Sequence, residues 1–340
     1  MSAAFKPSLM QTITEITPGE TSKRKTAILL NPGASHGRAE SKWTPIEEEV
    51  RRQLADTASE ILLIKAGDPQ YPVEFLIASG YSMLIAAGGD GSVHFLLQEM
   101  MQHYRPELIL GAIGLGSSND FHKPFGYTLR GIPLRIDPRL ARMQDVGCIQ
   151  YTDEAGTRQK RYFLINASIG VTANANWLFN HPDSLLRVLK GRFVSLAIFY
   201  AAVKTILRHQ NFTLQIKADQ FCSFGRFANV AILKNVHVSG AFQYDQHLGY
   251  DDGLLGLNIC AAMSHFQLLR VLSDLSHAVF SGKPGRTAEY VRQVQIDTLG
   301  QLLALELDGE VVQAYDIHCS VLPGALAVIQ SGSPAAGLNP

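Results

Sequence analysis

The sequence predicts an α/β plus all-β protein, an N-terminal doubly wound parallel-sheet domain followed by an antiparallel β-sandwich domain. Three observations carry this. Up to about residue 121, unbroken apolar runs alternate with segments of helical period. Three of the runs close on loops rich in Gly or Ser, at 31–37, 88–92 and 114–118. After about residue 145, short β-like runs dominate, separated by Gly, Asn and Asp at irregular spacing. Alternation of helices with unbroken apolar strands means a parallel sheet covered on both faces; the later texture means antiparallel strands. A chain of 340 residues is also long for one core, so two domains are expected.

Residues 1–24 are polar and unpatterned and read as a tail. The first domain, 25–145, begins with "TAILLNPGASHG" (26–37), a buried strand ending in a turn. "IEEEVRRQLAD" (46–56) is helical, with Ile46, Val50 and Leu54 at four-residue spacing. "EILLIKAGDP" (60–69) is a second strand, and "YSMLIAAGGDGS" a third that runs into its loop. "VHFLLQEMMQHY" (93–104) is a helix, and "ELILGAIGLGSSNDF" (107–121) a fourth strand with a second Gly/Ser loop. The β-rich domain, 146–330, includes "RYFLINASIGV", "FTLQIKA", "FANVAILKNV" and "LALELDGEVV", with helical stretches near 184–208 and 264–280. Its last strands are free to return to the first domain. Residues 331–340 read as a second tail.

Hydrophobic residues make up 46% and charged residues 18%, an ordinary globular composition. Thirty basic residues balance thirty acidic ones, which argues against a broadly basic nucleic-acid binder; no nucleic-acid partner is expected. Cys148, Cys222, Cys260 and Cys319 lie far apart, without metal-ligand spacing or a disulfide framework, as in reduced cytoplasmic proteins. The N-terminus lacks a signal-peptide pattern. No stretch reaches the roughly 20 apolar residues that span a bilayer. "LLRVLKGRFVSLAIFYAAVKTILRH" (185–209) is apolar in the middle and basic at its ends. It is read as a core helix with solvated ends, with peripheral contact to an anionic membrane surface as the other reading.

The loops suggest chemistry. Gly88, Gly89 and Gly91 lack the Cβ atoms that would keep a phosphate away, and Ser92 adds a hydroxyl at a helix start. A lone Gly-Gly-Asp-Gly is equally a turn; the second Gly/Ser loop at the next strand end favours a phosphate. Asp90 is the anomaly, since a bare carboxylate repels phosphate unless a cation or an acidic proton lies between them. It therefore implies Mg²⁺ or a hydroxyl nucleophile near a terminal phosphate, the requirements of nucleotide-dependent phosphoryl transfer.

The segments "NPGASHG", "GGDGS", "GSSNDF", "DDGLL" and "LDGE", in this order, resemble the diacylglycerol kinase catalytic-domain family, which includes bacterial lipid kinases, sphingosine kinases and ceramide kinase. The resemblance implies that Asn31, Gly88, Gly89, Asp90, Gly91, Ser92, Ser117, Asn119 and Asp120 bind ATP. It implies Mg²⁺ held by the Asp252 carboxylate and the carbonyls of Gly249 and Leu254. It implies Asp308 and Glu310 in the active site, one as general base toward a lipid hydroxyl; taken alone, "LALELDGEVVQAY" is a hairpin with Asp-Gly at its tip. The implied activity is transfer of the γ-phosphate of ATP to diacylglycerol or a related membrane lipid alcohol, with an apolar pocket in the second domain. His94 and Phe95 stand where the family usually has Asn-Glu, Ser117 where it usually has Thr, and Gly114 where it has Pro. These departures keep two alternatives open, a soluble-metabolite kinase resembling NAD kinases and an inactive nucleotide-binding homologue. A homodimer is left open as well.

Overall fold

The computed structural model describes residues 23–123 and 126–330; the expected terminal tails lie almost wholly outside the described residues. Four strands, β1 (Arg24–Leu30), β2 (Ala58–Lys65), β3 (Tyr81–Gly88) and β4 (Ile109–Gly114), pair in parallel in the order β2-β1-β3-β4. Their alternate side chains enter two separate cores. Leu29, Leu84 and Leu110 pack with Val93, Leu97 and Met100 of the helix Asp90–Gln102. Ile28, Ile85 and Ile113 pack with Trp43, Val50 and Leu54 on the other face. That two-sided burial is why these strands are apolar at successive positions rather than at every second one.

The helix expected at 93–104 begins at Asp90, so the aspartate lies in its first turn instead of in the preceding loop. The helix Val171–Asn180 was not expected; the apolar run before it reads as one strand. The stretch 185–209 forms two helices, Ser184–Arg192 and Val194–Arg208, joined at Phe193. The longer one buries mostly small residues, Ala197, Ala201 and Ala202, and exposes Leu196, Phe199 and Leu207. A core helix with only solvated ends is therefore not what forms: large apolar groups face outward along its length.

The remaining strands are largely antiparallel around a third core that includes Ile169, Leu214, Val230, Leu257, Ile296 and Ile317. The strand Ala141–Thr152 runs through the expected domain boundary at 145–146. The final strand, Glu310–Ile329, pairs antiparallel along most of its length and ends beside β4 in parallel register, Ala327 opposite Ile109. One hydrogen-bonded sheet thus passes through both halves, and the start of the final strand is held in fixed relation to the ends of β1, β3 and β4.

Candidate active site

At the carboxyl ends of β1, β3 and β4 lies a cleft of about 480 Å³. Its walls include Asn31, Gly89, Asp90, Gly91, Ser92, Ser117 and Asp120 on one side, and Glu306, Asp308, Gly309 and Glu310 on the other. The Gly-Gly-Asp-Gly loop and the Asp-Gly hairpin, 218 positions apart between Asp90 and Asp308, thus face one space.

Gly88 and Gly116, one in each loop, are required by neighbouring protein. A Cβ on Gly88 would lie 2.1 Å from Ser92 Oγ, and one on Gly116 would lie 2.5 Å from the Cα of Gly89. The two loops are also stitched together, with Leu115 N and Gly116 N donating to the Gly88 carbonyl at 2.8 and 3.1 Å. Gly91 is different, because a Cβ there would meet only Glu310 Oε1, at 3.4 Å, across the cleft. No side chain caps the helix that starts here, and Asn31 Nδ2 donates to Ser92 Oγ at 2.9 Å, fixing the hydroxyl. Asn119, with φ of 50°, turns the second loop and donates from Nδ2 to the Gly114 carbonyl; it shapes the loop from behind.

The Asp90 carboxylate accepts from Asp120 N at 3.1 Å and Phe121 N at 3.0 Å, so it also holds the second loop in place. Burial, then the charge of Asp120, pushes its pKa up to about 7; the two amide bonds pull the other way, and Asp308 adds to the rise. Asp120 in turn accepts from Gly240 N at 2.8 Å and from Lys123 Nζ at 2.6 Å.

Asp308 and Gly309 form a two-residue hairpin tip with φ of 49° and 95°, and Leu307 pairs with Glu310. The hairpin reading therefore holds, and its tip faces the cleft that the glycine loop also lines. Three amides converge on the buried Asp308 carboxylate, from Leu164, Ile165 and Asn166, at 2.9–3.0 Å. His94 Nδ1 lies 3.3 Å from Asp308 Oδ2. The histidine that departs from the family pattern thus joins the glycine-loop helix to the hairpin. Glu310 is exposed at the cleft wall.

Sequence reasoning missed two acidic and basic groups. Glu306 sits in the cleft wall, bonded by Asn166 Nδ2 at 2.6 Å, Ser168 Oγ at 2.5 Å and Gly309 N at 2.6 Å, and burial pushes its pKa up to about 7. Its signal was the alternation Glu306, Asp308, Glu310 at the hairpin. Lys234, inside the run "VAILKNV", is the other, and its ammonium stands where the resemblance implies a metal ion. Its Nζ donates to Asp252 Oδ1 at 2.8 Å, to the Leu254 carbonyl at 3.0 Å and to Asp145 Oδ2 at 2.7 Å. Gly249 presents its N–H to Asp252 Oδ2 at 2.7 Å. Asp252 and Leu254 therefore face an ammonium group, Gly249 supports Asp252, all three lie outside the cleft, and no cluster of three His, Cys, Asp or Glu among the described residues is arranged to hold a metal.

Beside the cleft is an apolar pocket lined by residues such as Val171, Ala175, Ile198, Phe242 and Leu268. Ser118, Asn176, Phe179 and Ser239 line both spaces.

Residues 25–144 match the diacylglycerol kinase catalytic domain, and residues 166–330 match the YegS C-terminal NAD kinase beta sandwich-like domain. A relative from Pseudomonas aeruginosa named "Probable lipid kinase YegS-like" is 27% identical over 303 residues, covering 84% of this chain and 91% of that one. One of the same name from Pseudomonas fluorescens is 27% identical over 336 residues, covering 93% and 99%. A diacylglycerol kinase structure from Bacillus anthracis str. Sterne superposes with a TM-score of 0.65 at 16% identity, covering 92% of this chain and 98% of that one, a likeness of fold alone. With both halves matched in order on one chain, and with relatives that align over 84% and 93% of it named "Probable lipid kinase YegS-like", the protein belongs to the diacylglycerol kinase catalytic-domain family and is a kinase of the lipid-kinase type.

Proposed function

We propose that the chain transfers the γ-phosphate of ATP to the hydroxyl of diacylglycerol or a lipid alcohol of similar shape. The observation that carries this reading is the shared wall: a polar cleft with a glycine loop opens beside an apolar pocket through Ser118, Asn176, Phe179 and Ser239. A lipid with its chains in the pocket would place a headgroup hydroxyl at that wall, facing the phosphate loop.

The cleft wall carries five carboxylates, Asp90, Asp120, Glu306, Asp308 and Glu310, and no Lys or Arg among the described residues. A triphosphate would be repelled there by itself. It would enter as its Mg²⁺ complex, whose cation supplies the missing positive charge between phosphate and carboxylate. The Gly91 and Ser92 region would receive the phosphates. Asp90, held near neutrality on the pH scale, would accept the proton of the attacking hydroxyl. Asp308, fixed by three amides and His94, would orient that hydroxyl, and Glu310 would face the nucleotide side. His94 thereby makes a defined contact with the site at a position where the family pattern is broken, which weighs against an inactive homologue.

Membrane contact belongs to the same proposal. Leu185, Val188, Phe193, Leu196, Phe199 and Leu207 are all at least half exposed on the two helices 184–208. Ile198, Ala201 and Ala202 of the same helix line the pocket. Among the described residues no helix is long and apolar enough to cross a membrane, so these helices would rest on its surface and pass lipid to the pocket.

Ala175→Phe, which narrows the pocket beside the shared wall, tests this reading. It should raise KM for lipid at least several-fold and leave KM for ATP unchanged; an unchanged lipid KM in the folded variant would remove the pocket from the reaction.

A further inference from the structure

The family resemblance implies a divalent cation between Asp252 and Leu254, and this chain has a lysine there. We infer that Lys234 is the resident cation of the second half of the molecule and that this region needs no metal ion.

The ammonium fits the place in number, charge and distance. Lys234 offers three N–H donors, and three oxygens meet them: Asp145 Oδ2, Asp252 Oδ1 and the Leu254 carbonyl, at 2.7–3.0 Å. Those are hydrogen-bond lengths, whereas Mg²⁺ binds oxygen at about 2.0–2.1 Å and Ca²⁺ at about 2.3–2.6 Å. The lysine side chain is fully buried, so its charge is held entirely by these groups. The carboxylates have their own supports: Gly253 N and Gly324 N donate to Asp145, and Gly249 N and Leu254 N donate to Asp252. Every charge in the triad is paired and hydrogen-bonded, the condition for burying it at all.

The triad also reaches the cleft through the backbone. Lys234 N and Asn235 N donate to the Ile165 carbonyl at 2.8 and 2.9 Å, and Ile165 N donates to Asp308 at 2.9 Å. Asn235 Nδ2 donates to the Asp120 carbonyl at 3.0 Å. A fixed lysine thus gives the Asp308 segment and the second phosphate loop a common anchor. In a chain with an ion at this place, that anchor would respond to metal concentration; here it is covalently part of the protein.

The test is thermal unfolding without nucleotide, in EDTA and with millimolar Mg²⁺ or Ca²⁺. The unaltered protein should show the same Tm in all three. Lys234→Ala leaves two carboxylates and a carbonyl facing a gap, an oxygen-only set suited to a hard cation. It should have a lower Tm in EDTA that Ca²⁺ or Mg²⁺ raises, and Asp252→Asn added to it should abolish that rescue. A Tm gain in the unaltered protein that Asp252→Asn removes would overturn the inference, whether or not Lys234→Ala folds. So would a folded Lys234→Ala variant that no divalent ion stabilises.

Discussion

Asp90→Asn should stabilise the folded protein at pH 8 and destabilise it at pH 4.5, while removing activity throughout. The reasoning begins with the carboxylate. Its pKa is raised from an ordinary 3.8 to about 7, first by burial and then by Asp120. A group with a raised folded pKa binds more protons folded than unfolded between those values. Stability therefore falls as pH rises from about 4 to about 7. The full displacement corresponds to about 4 kcal/mol. Asparagine removes that cost but has only one accepting oxygen. Asp120 N and Phe121 N each use a different oxygen of Asp90, so one amide would lose its partner, at about 1–3 kcal/mol. The net at pH 8 is a stabilisation of about 1–3 kcal/mol. At pH 4.5 Asp90 is already neutral in the fold, only about 1 kcal/mol of that cost is left, and the lost bond outweighs it. Urea unfolding of both proteins at the two pH values, without nucleotide, measures this, and turnover with MgATP should fall about 100-fold or more. A stability difference of the same sign and size at both pH values would refute the assignment of a strained carboxylate at this position.

Four further outcomes are expected. Gly91→Ala should fold normally and weaken ATP binding in calorimetry, whereas Gly116→Ala should mainly lower Tm, because its Cβ meets the Gly89 backbone at 2.5 Å; unchanged ATP affinity in Gly91→Ala would reduce the loop to a turn. Glu310→Gln, at an exposed position, should keep both Tm and ATP affinity, so any loss of lipid phosphorylation is chemical, while Asp308→Asn should lose stability as well by stranding an amide of 164–166. His94→Leu should lower kcat with little change in KM for ATP, and His94→Asn, which can still donate toward Asp308, should recover part of it. Leu196→Ser with Phe199→Ser should reduce sedimentation with anionic vesicles and leave phosphorylation of a short-chain, water-soluble lipid intact; equal vesicle binding would remove these helices from the membrane contact.

The parts of this architecture that rest on local pattern were readable from the residues. Strands β1 to β4 are continuous apolar runs because both faces are covered, and the glycine loops punctuate them at the ends where ligands bind. The Asp308-Gly309 tip was readable as a hairpin from two residues that tolerate positive φ. What sequence could not supply was the company each residue keeps. The helix Val171–Asn180 starts after Gly170, whose φ of 99° breaks an apolar run that otherwise looks like one strand. Lys234 is a single charge inside a buried run, and only the sheet brings Asp145, 89 positions away, to its ammonium. His94 looked like a defect until the fold placed Asp308 beside it. Glu306 was hidden by the more prominent acids after it: the turn at Asp308-Gly309 interrupts the two-residue period of the strand, and only the fold brings its carboxylate to Gly309 N and the cleft wall.

The central claim is that the phosphate cleft and the apolar pocket act as one site for a lipid alcohol. It is tested most directly by incubating the protein with γ-labelled ATP and Mg²⁺ in mixed micelles of diacylglycerol, a sphingoid base or ceramide, with NAD as a soluble acceptor. The account predicts label in an organic-extractable phospholipid for at least one lipid, none on NAD, and loss of that label in Asp90→Asn. Label on NAD alone, or no labelled lipid from a folded protein that binds ATP, would contradict it.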